Sequence, residues 1–280
     1  MTLKRACFRF CIRTLELFMR MLPKGRCIGL PLDSQNGKGL DLVTVAFNND
    51  ALIARQHQFI SRFVKDDFVH IVADNSTDHK CSERLQNYCR QEGIAYVRLP
   101  LNLLGKMGSS YSHSAAVNYV YHKIICRRNP AAFGYIDHDL FPIKDVMIGD
   151  YLKNQPFYGP LRVRQDGKYW YLSAIMSFFD TAWVKQHGGI DYMPVTPDKE
   201  YLDSGGGNWY RLYSVSDRSV MKFPNEEIVP LREGGDRHGA SLEYFDDRRW
   251  LHTINGSCWK AVSDGKDCLV QSVLDEILKG

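Results

Sequence analysis

Tyr135-Ile136-Asp137-His138-Asp139 sets two carboxylates one residue apart at the exit of a short apolar run. Side chains alternate along a strand, so Asp137 and Asp139 share a side while strand geometry lasts and converge on one point. Hard oxygen donors of this kind suit Mg2+ or Mn2+, which keep open positions for phosphate oxygens. The pair alone reads equally well as a helix cap and a surface charge. Two further polar clusters stand at the ends of apolar runs, Asn48-Asn49-Asp50 and Asp74-Asn75-Ser76-Thr77-Asp78. Taken singly, each is a set of strand-terminating and helix-capping residues; several at successive strand ends point to a ligand.

The elements that must position these clusters are legible from patterning. Leu42–Phe47, Phe68–Ala73, Ile94–Leu99 and Phe133–Ile136 are short apolar runs rich in β-branched and aromatic residues. Helical stretches lie between them, to about Val64, over about Ser82–Glu92 and across His113–Cys126. Strands alternating with helices imply an α/β fold with a mainly parallel sheet, which binds ligands at the carboxyl ends of its strands. Leu161–Arg164 and Lys168–Ser173, joined by Gln165-Asp166-Gly167, read as a pair of antiparallel strands. The first strand is followed by neither G-x-G-x-x-G nor G-x-x-x-x-G-K-S/T, which disfavours dinucleotide-dependent reduction and P-loop phosphotransfer.

The chain has 280 residues and a net charge of +4, too small an excess to indicate nucleic acid, and no apolar run long enough to span a bilayer. Its eight cysteines include no C-x-x-C pair, so reduced thiols and a cytosolic setting are expected rather than a zinc site. Near the N-terminus, Phe8, Ile12, Leu15, Met19 and Leu22 recur at helical spacing, with Arg9, Arg13, Glu16 and Arg20 expected to turn away. Two readings stay open for this helix: packing on its own domain, or peripheral contact of residues 4–24 with the inner face of a membrane. The Pro/Gly/Asn-rich stretch 31–39 then sets off a main domain over 39–262 from the N-terminal 1–38, with a C-terminal helix over 263–280.

From about Asp41 to Lys260 the sequence resembles glycosyltransferases of the GT-A (nucleotide-diphospho-sugar transferase) fold, especially the inverting family 2 type. Leu42–Asn49 is similar to that family's first strand and nucleotide-contacting turn, and Val72–Asp78 to its second-strand signature. The helix bearing Ser114, Ala115, Ala116 and Asn118 resembles the one ahead of the metal strand, and Asp137-His138-Asp139 stands at the D-x-D position. The resemblance implies a mainly parallel sheet flanked by helices with a smaller antiparallel sheet on the acceptor side. It also implies donor contacts from Phe47, Asn48, Asn49, Asp74, Asn118, Asp137 and His138. The metal ligands it implies are Asp137, Asp139 and His252, the last within Trp250–Trp259 and, as an imidazole, favouring Mn2+ over Mg2+. A general base is required near the acceptor hydroxyl; Asp203, in Tyr201-Leu202-Asp203-Ser204-Gly205-Gly206-Gly207-Asn208-Trp209, is the candidate, with Glu200 and Asp198 in reserve. The triple glycine is expected to let backbone approach substrate, and Trp209 to offer a platform for a sugar face. Arg232, Arg237 and His238 lie in a Gly-rich loop expected to close over the donor.

The implied activity is metal-dependent transfer of a sugar from a nucleoside diphosphate to a saccharide or lipid-linked acceptor, in cell-surface polysaccharide or glycolipid synthesis. The competing readings are a nucleotidyltransferase, a non-catalytic nucleotide-sugar-binding module and a methyltransferase-like Rossmann domain, the last of which would expect glycines after the first strand and have no use for a metal clasp. The first normally needs a Gly-rich basic loop where Asn48-Asn49-Asp50 stands; the second would tolerate loss of Asp203.

Overall fold

The computed structural model describes residues 3–30, 35–164, 167–231, 241–254 and 266–279, with the side chains of 3–6 and 266–268 excepted. Its centre is a seven-stranded sheet. Strands β2 (Leu40–Ala46), β3 (Phe68–Asp74), β4 (Ala95–Arg98) and β5 (Ala132–Ile136) run parallel in the order β4-β3-β2-β5. The antiparallel strand β1 (Cys27–Ile28) borders β4; β10 (Met176–Asp180) and β7 (Phe157–Tyr158) extend the sheet beyond β5. The four apolar runs read from the sequence are thus the four parallel strands, within two residues at each end.

Every residue of β2 is buried, as a central strand covered on both faces requires. Alternation divides its side chains between two layers. Val43 and Val45 pack with Ile71, Ala73 and Val97 under α4 (Ser109–Val120), whose Ala115, Ala116, Val117 and Val120 join the same cluster. On the other face Ala46, Val72 and Tyr96 meet Ile53 of α2 (Asp50–Phe63) and Leu85 and Cys89 of α3 (His79–Gln91). Burying each such aliphatic side chain contributes about 1.5–3 kcal/mol. Asn49 and Asp78 cap α2 and α3, accepting from Leu52 N and Lys80 N at 3.0 and 2.8 Å.

One charged residue of β2 points into this core. Asp41 is fully buried and accepts two hydrogen bonds from the equally buried Arg128, at 2.7 and 2.8 Å. Removing one partner strands the other charge, so Arg128→Met should lower stability by about 3–5 kcal/mol in chemical denaturation.

The antiparallel part forms two smaller sheets. β8 (Leu161–Arg164) and β9 (Tyr169–Leu172) pair as expected, Gln165 and Asp166 of their connection lying outside the described residues. A separate four-stranded antiparallel sheet, the smaller second sheet that the resemblance implies, has the order β11-β12-β13-β6, from Glu226–Pro230, Ser241–Phe245, Trp250–His252 and Leu140–Pro142. The helix Lys266–Lys279 packs beside it through Val270 and Leu274, against Leu242, Leu251 and Phe141.

Helix α1 (Leu3–Met21) packs on the α4 layer through Ile12, Met19 and the partly buried Leu15. Its charges do not turn away from the domain as expected. Arg13 donates to Asp191 at 2.9 Å, and Arg20 bonds Glu16 and lies 2.5 Å from His122 Nε2. The reason is two acids on the docked side: Glu16, buried and bonded by Asn118 Nδ2 at 3.0 Å, draws Arg20, and Asp191 draws Arg13. Among the described residues, Cys7, Cys11, Cys27, Cys81, Cys89 and Cys126 are free thiols, and no helix is long and apolar enough to cross a membrane.

Candidate metal centre and active site

β5 ends at Ile136 and the chain turns at once into β6, Leu140 N donating to Asp137 O at 3.1 Å. This turn carries Asp137-His138-Asp139 at the carboxyl edge of the parallel sheet. Buried Gln56, on α2, clamps it by donating to Asp137 O at 2.6 Å and Leu140 O at 2.7 Å. Gln56 Oε1 accepts from Thr44 Oγ1 at 2.8 Å, and that hydroxyl lies 3.1 Å from His70 Nε2. A glutamine donating two hydrogen bonds to one turn fixes where both carboxylates point.

The antiparallel sheet brings the third donor. β13 pairs with β6 so that His252 stands opposite Leu140, and Thr253 N donates to Asp139 O at 2.9 Å. His252 Nε2 then lies 3.3 Å from Asp139 Oδ1. Across the same sheet, His252 is in register with Glu243 of β12, whose Oε2 is 2.8 Å from Nδ1. One ligand atom each from Asp137, Asp139 and His252 lies within 4.8 Å of the others.

This donor set fits a divalent cation. A carboxylate on Nδ1 leaves Nε2 as the free ligand nitrogen and fixes the ring, the usual outer partner of a metal-binding histidine. Asp139 and His252 are buried, whereas Asp137 is 32% exposed, which leaves an open side for a ligand. Burial, with the charge of Asp139 adding, pushes the Asp137 carboxyl above its ordinary range. Burial alone would lower His252, but Asp139 and Glu243 override it and push the imidazole up to about 10. The His252 shift reports crowded negative charge that a cation would relieve, and the same charge adds to burial at Asp137.

Asp203 is drawn to the same region by contacts the sequence did not disclose. Ser204 donates to Ser110 O at 3.1 Å and accepts from Ser114 Oγ at 3.0 Å, docking the Gly-rich turn on the start of α4. His113, on the first turns of that helix, lies 3.5 Å from Asp137 Oδ1. Burial pushes His113 down to about 4, against the opposing charges of Asp203 and Asp139. It is therefore a neutral imidazole set among Asp203, Asp137 and Asp139. Asp203 Oδ1 accepts from Ser204 N at 2.8 Å and Tyr201 Oη at 3.1 Å. His113, Gln56 and Glu243 all escaped the sequence reading, since no spacing marks a lone histidine or glutamine on a helix or an acid on a short strand.

The other expected donor contacts are placed as follows. Phe47 is exposed just beyond β2, and His138 Nδ1 lies 3.4 Å from Val45 O, both at the carboxyl edge of the sheet. Asn48 stitches two strand-end loops together, accepting from Thr77 N and Asp78 N at 2.8 and 2.9 Å. Asn49 Oδ1 is the α2 cap. Asp74 is fully buried, with Ser76 N, Ser82 Oγ and Tyr96 Oη donating to it at 2.9, 2.5 and 2.7 Å and Arg98 3.0 Å away. Burial opposes its ionisation, but those hydrogen bonds hold its carboxyl below the usual range. Asn118 is buried between Glu16 and Tyr192 N, to which its oxygen accepts at 2.8 Å, beneath α1 rather than beside the metal centre. Asp198 is paired with Lys168 at 2.7 Å. Glu200, part-buried, lies between these two candidate bases along the chain.

The triple glycine serves close packing against its own chain. A Cβ on Gly206 would come within 2.4 Å of Leu202 Cβ, one on Gly207 within 2.6 Å of Asp191 O, and Gly205 has φ +91°. Trp209 packs edge-on to Tyr169, centroids 5.3 Å apart. Arg232, Arg237, His238 and residues 255–259 lie outside the described residues.

The clamp beneath the turn gives a pH prediction. His70, buried and 3.0 Å from His57 between their Nδ1 atoms, is pushed down to about 3 by burial and by His57. A histidine with a folded value below its unfolded one contributes stability that is lost as pH falls from about 6.5 toward 3, by up to about 1.4 kcal/mol per unit. Acid denaturation of His70→Asn should therefore be shallower than that of the unsubstituted protein over this window, measured by denaturant midpoints at each pH.

No family model matches the chain, and no curated protein does. Among solved structures it is similar to mannosyltransferase PcManGT from Pyrobaculum calidifontis in complex with GDP-Man and Mn2+, at 10% identity and a TM-score of 0.39, covering 66% of this chain and 57% of that one. It is also similar to galactosyltransferase LgtC in complex with donor and acceptor sugar analogs, at 15% identity and 0.36, over 52% and 60% of the two chains. A third is glucosyl-3-phosphoglycerate synthase from Mycobacterium tuberculosis with Mn2+, UDP and glucosyl-3-phosphoglycerate, at 15% and 0.36, over 57% and 61%. The chain thus spans less than two thirds of each of these proteins. At such scores the functional reading rests on the site itself.

Proposed function

We infer that this chain is a metal-dependent glycosyltransferase that takes a sugar from a nucleoside diphosphate to a hydroxyl acceptor. The observation that carries the reading is the convergence of Asp137, Asp139 and His252 within 4.8 Å at the carboxyl edge of a parallel sheet, with Glu243 behind the imidazole. The sequence resemblance to GT-A transferases, in motif order, supplies the reaction class.

Asp137, Asp139 and His252 would hold Mn2+ or Mg2+, which as a Lewis acid would offset the charge of the departing nucleoside diphosphate. Glu243 orients the His252 ring, and Gln56 fixes the turn that aims both aspartates. Asp203 is assigned as the base that takes the acceptor proton, which makes the transfer inverting. Neutral His113, 3.5 Å from Asp137 Oδ1, adds no charge to the site. Exposed Phe47 and half-buried His138 line the sheet edge where the nucleoside is assigned.

The test is donor hydrolysis across common nucleotide sugars, with and without Mn2+. Metal-dependent release from one donor is expected; no release from any donor by folded protein would sink the reading. Glu243→Gln should weaken Mn2+ binding about 10–100-fold in calorimetric titration, because the imidazole loses its oriented carboxylate partner.

A further inference from the structure

Helix α1 is docked by one side, and its opposite side is apolar. Ile12, Leu15 and Met19 face the domain, while Phe10, Leu17 and Met21 line up on the other side at helical spacing, 75%, 55% and 71% exposed. Thr14 fills the remaining place in that row, and Cys7, Cys11 and Phe18 flank it, all exposed. The charges lie elsewhere: Arg13 reaches Asp191, Arg20 reaches Glu16 and His122, and Arg9 Nη2 is 3.5 Å from Thr196 O. A helix side that faces water ordinarily carries the polar residues. Here it carries aromatic, aliphatic and sulfur side chains.

We propose that this outward face seats α1 in the interfacial layer of a membrane bearing anionic lipid. The occupant is selected by charge. Residues 1–26 contain Lys4, Arg5, Arg9, Arg13, Arg20, Lys24 and Arg26 but a single acid, Glu16, which is buried and paired. An apolar stripe embedded at the acyl boundary, on a segment of net positive charge, matches an anionic headgroup layer. A second copy of the chain would bring the same positive excess against itself, which disfavours self-pairing through this face. The membrane-facing residues are thus not the apolar set at Phe8, Ile12, Leu15, Met19 and Leu22, most of which serves to dock α1 on the domain. Deleting the helix would uncover core and unsettle the fold, so the test uses substitutions on its exposed side.

The full chain is mixed with vesicles of phosphatidylcholine alone, or of equal parts phosphatidylcholine and phosphatidylglycerol, at low ionic strength, and bound protein is separated by flotation. Binding to the anionic vesicles, weak binding to the neutral ones, and loss of affinity at high salt are expected. The double variant Leu17→Gln/Met21→Gln should bind anionic vesicles at least about tenfold more weakly, since two exposed apolar anchors are removed. Its circular dichroism and thermal midpoint should match the unsubstituted protein. Leu17→Met/Met21→Leu should keep the affinity. Failure of the folded protein to bind anionic vesicles, or equal binding by the glutamine variant, overturns the proposal. So does a concentration-dependent dimer in sedimentation velocity that the glutamine variant abolishes, which would assign the face to a second copy. Binding is read without turnover, so this result is independent of the transferase assignment.

Discussion

Asp139→Asn should remove Mn2+-stimulated donor turnover almost entirely, by about a thousandfold. The substitution keeps the shape of the side chain and discharges one of two buried ligands. Lewis-acid stabilisation of a leaving diphosphate is worth several kcal/mol, and each 1.36 kcal/mol is about a tenfold change in rate. The fold should survive, because the contacts that hold the turn use backbone: Thr253 N donates to Asp139 O at 2.9 Å, and Gln56 grips Asp137 O and Leu140 O. Two readouts check it together, turnover against Mn2+ concentration and direct Mn2+ titration. Asp145→Asn, an exposed acid paired with Lys65 at the surface, is the control and should change neither. Unchanged turnover in folded Asp139→Asn would remove the cation from the proposed chemistry.

The second large effect separates catalysis from binding. Asp203→Asn should lower turnover by about 10²–10⁴-fold, the span a positioned general base contributes, while leaving donor and Mn2+ affinity unchanged. Asparagine keeps the oxygen that accepts from Ser204 N at 2.8 Å, so the Gly-rich turn should stay docked on α4. A fall in turnover with a matching loss of donor affinity would instead place Asp203 among the donor contacts. Wild-type activity in the variant would transfer the base role elsewhere or return the protein to the binding-module reading.

The parts of the fold that were legible in the sequence share one property: their signal is local. Leu42–Phe47 and Phe68–Ala73 declare strands because buried parallel strands must be continuously apolar, and polar residues mark their ends. Asn49 and Asp78 were equally legible as caps, the local role both fill. Reading a role beyond the local one was harder. Asn118 resembles a donor-side residue by its place in an Ala-rich helix, yet its amide completes a buried network under α1, because Glu16 and the Tyr192 amide need partners there. The glycines at 205–207 promised room for a substrate and instead make room for Leu202, Asp191 and Leu172.

Composition and order along the chain determined by themselves that this protein is an α/β molecule with acids at successive strand ends. The physical cause is hydrophobic periodicity, complete within a dozen residues of sequence. The tertiary structure alone decided which of those acids share a site. His252 meets Asp139 and Glu243 backs His252 because β13 pairs with both β6 and β12, and a serine ladder docks the Gly-rich turn on α4, whose His113 lies 3.5 Å from Asp137. Those pairings join segments as much as 114 residues apart. Strand register and loop docking are settled by packing of the whole chain, and no local spacing encodes them. The same division holds for α1: its amphipathic pattern was visible in sequence, but which of two apolar sides faces outward was fixed only by where the domain took hold of Ile12 and Met19.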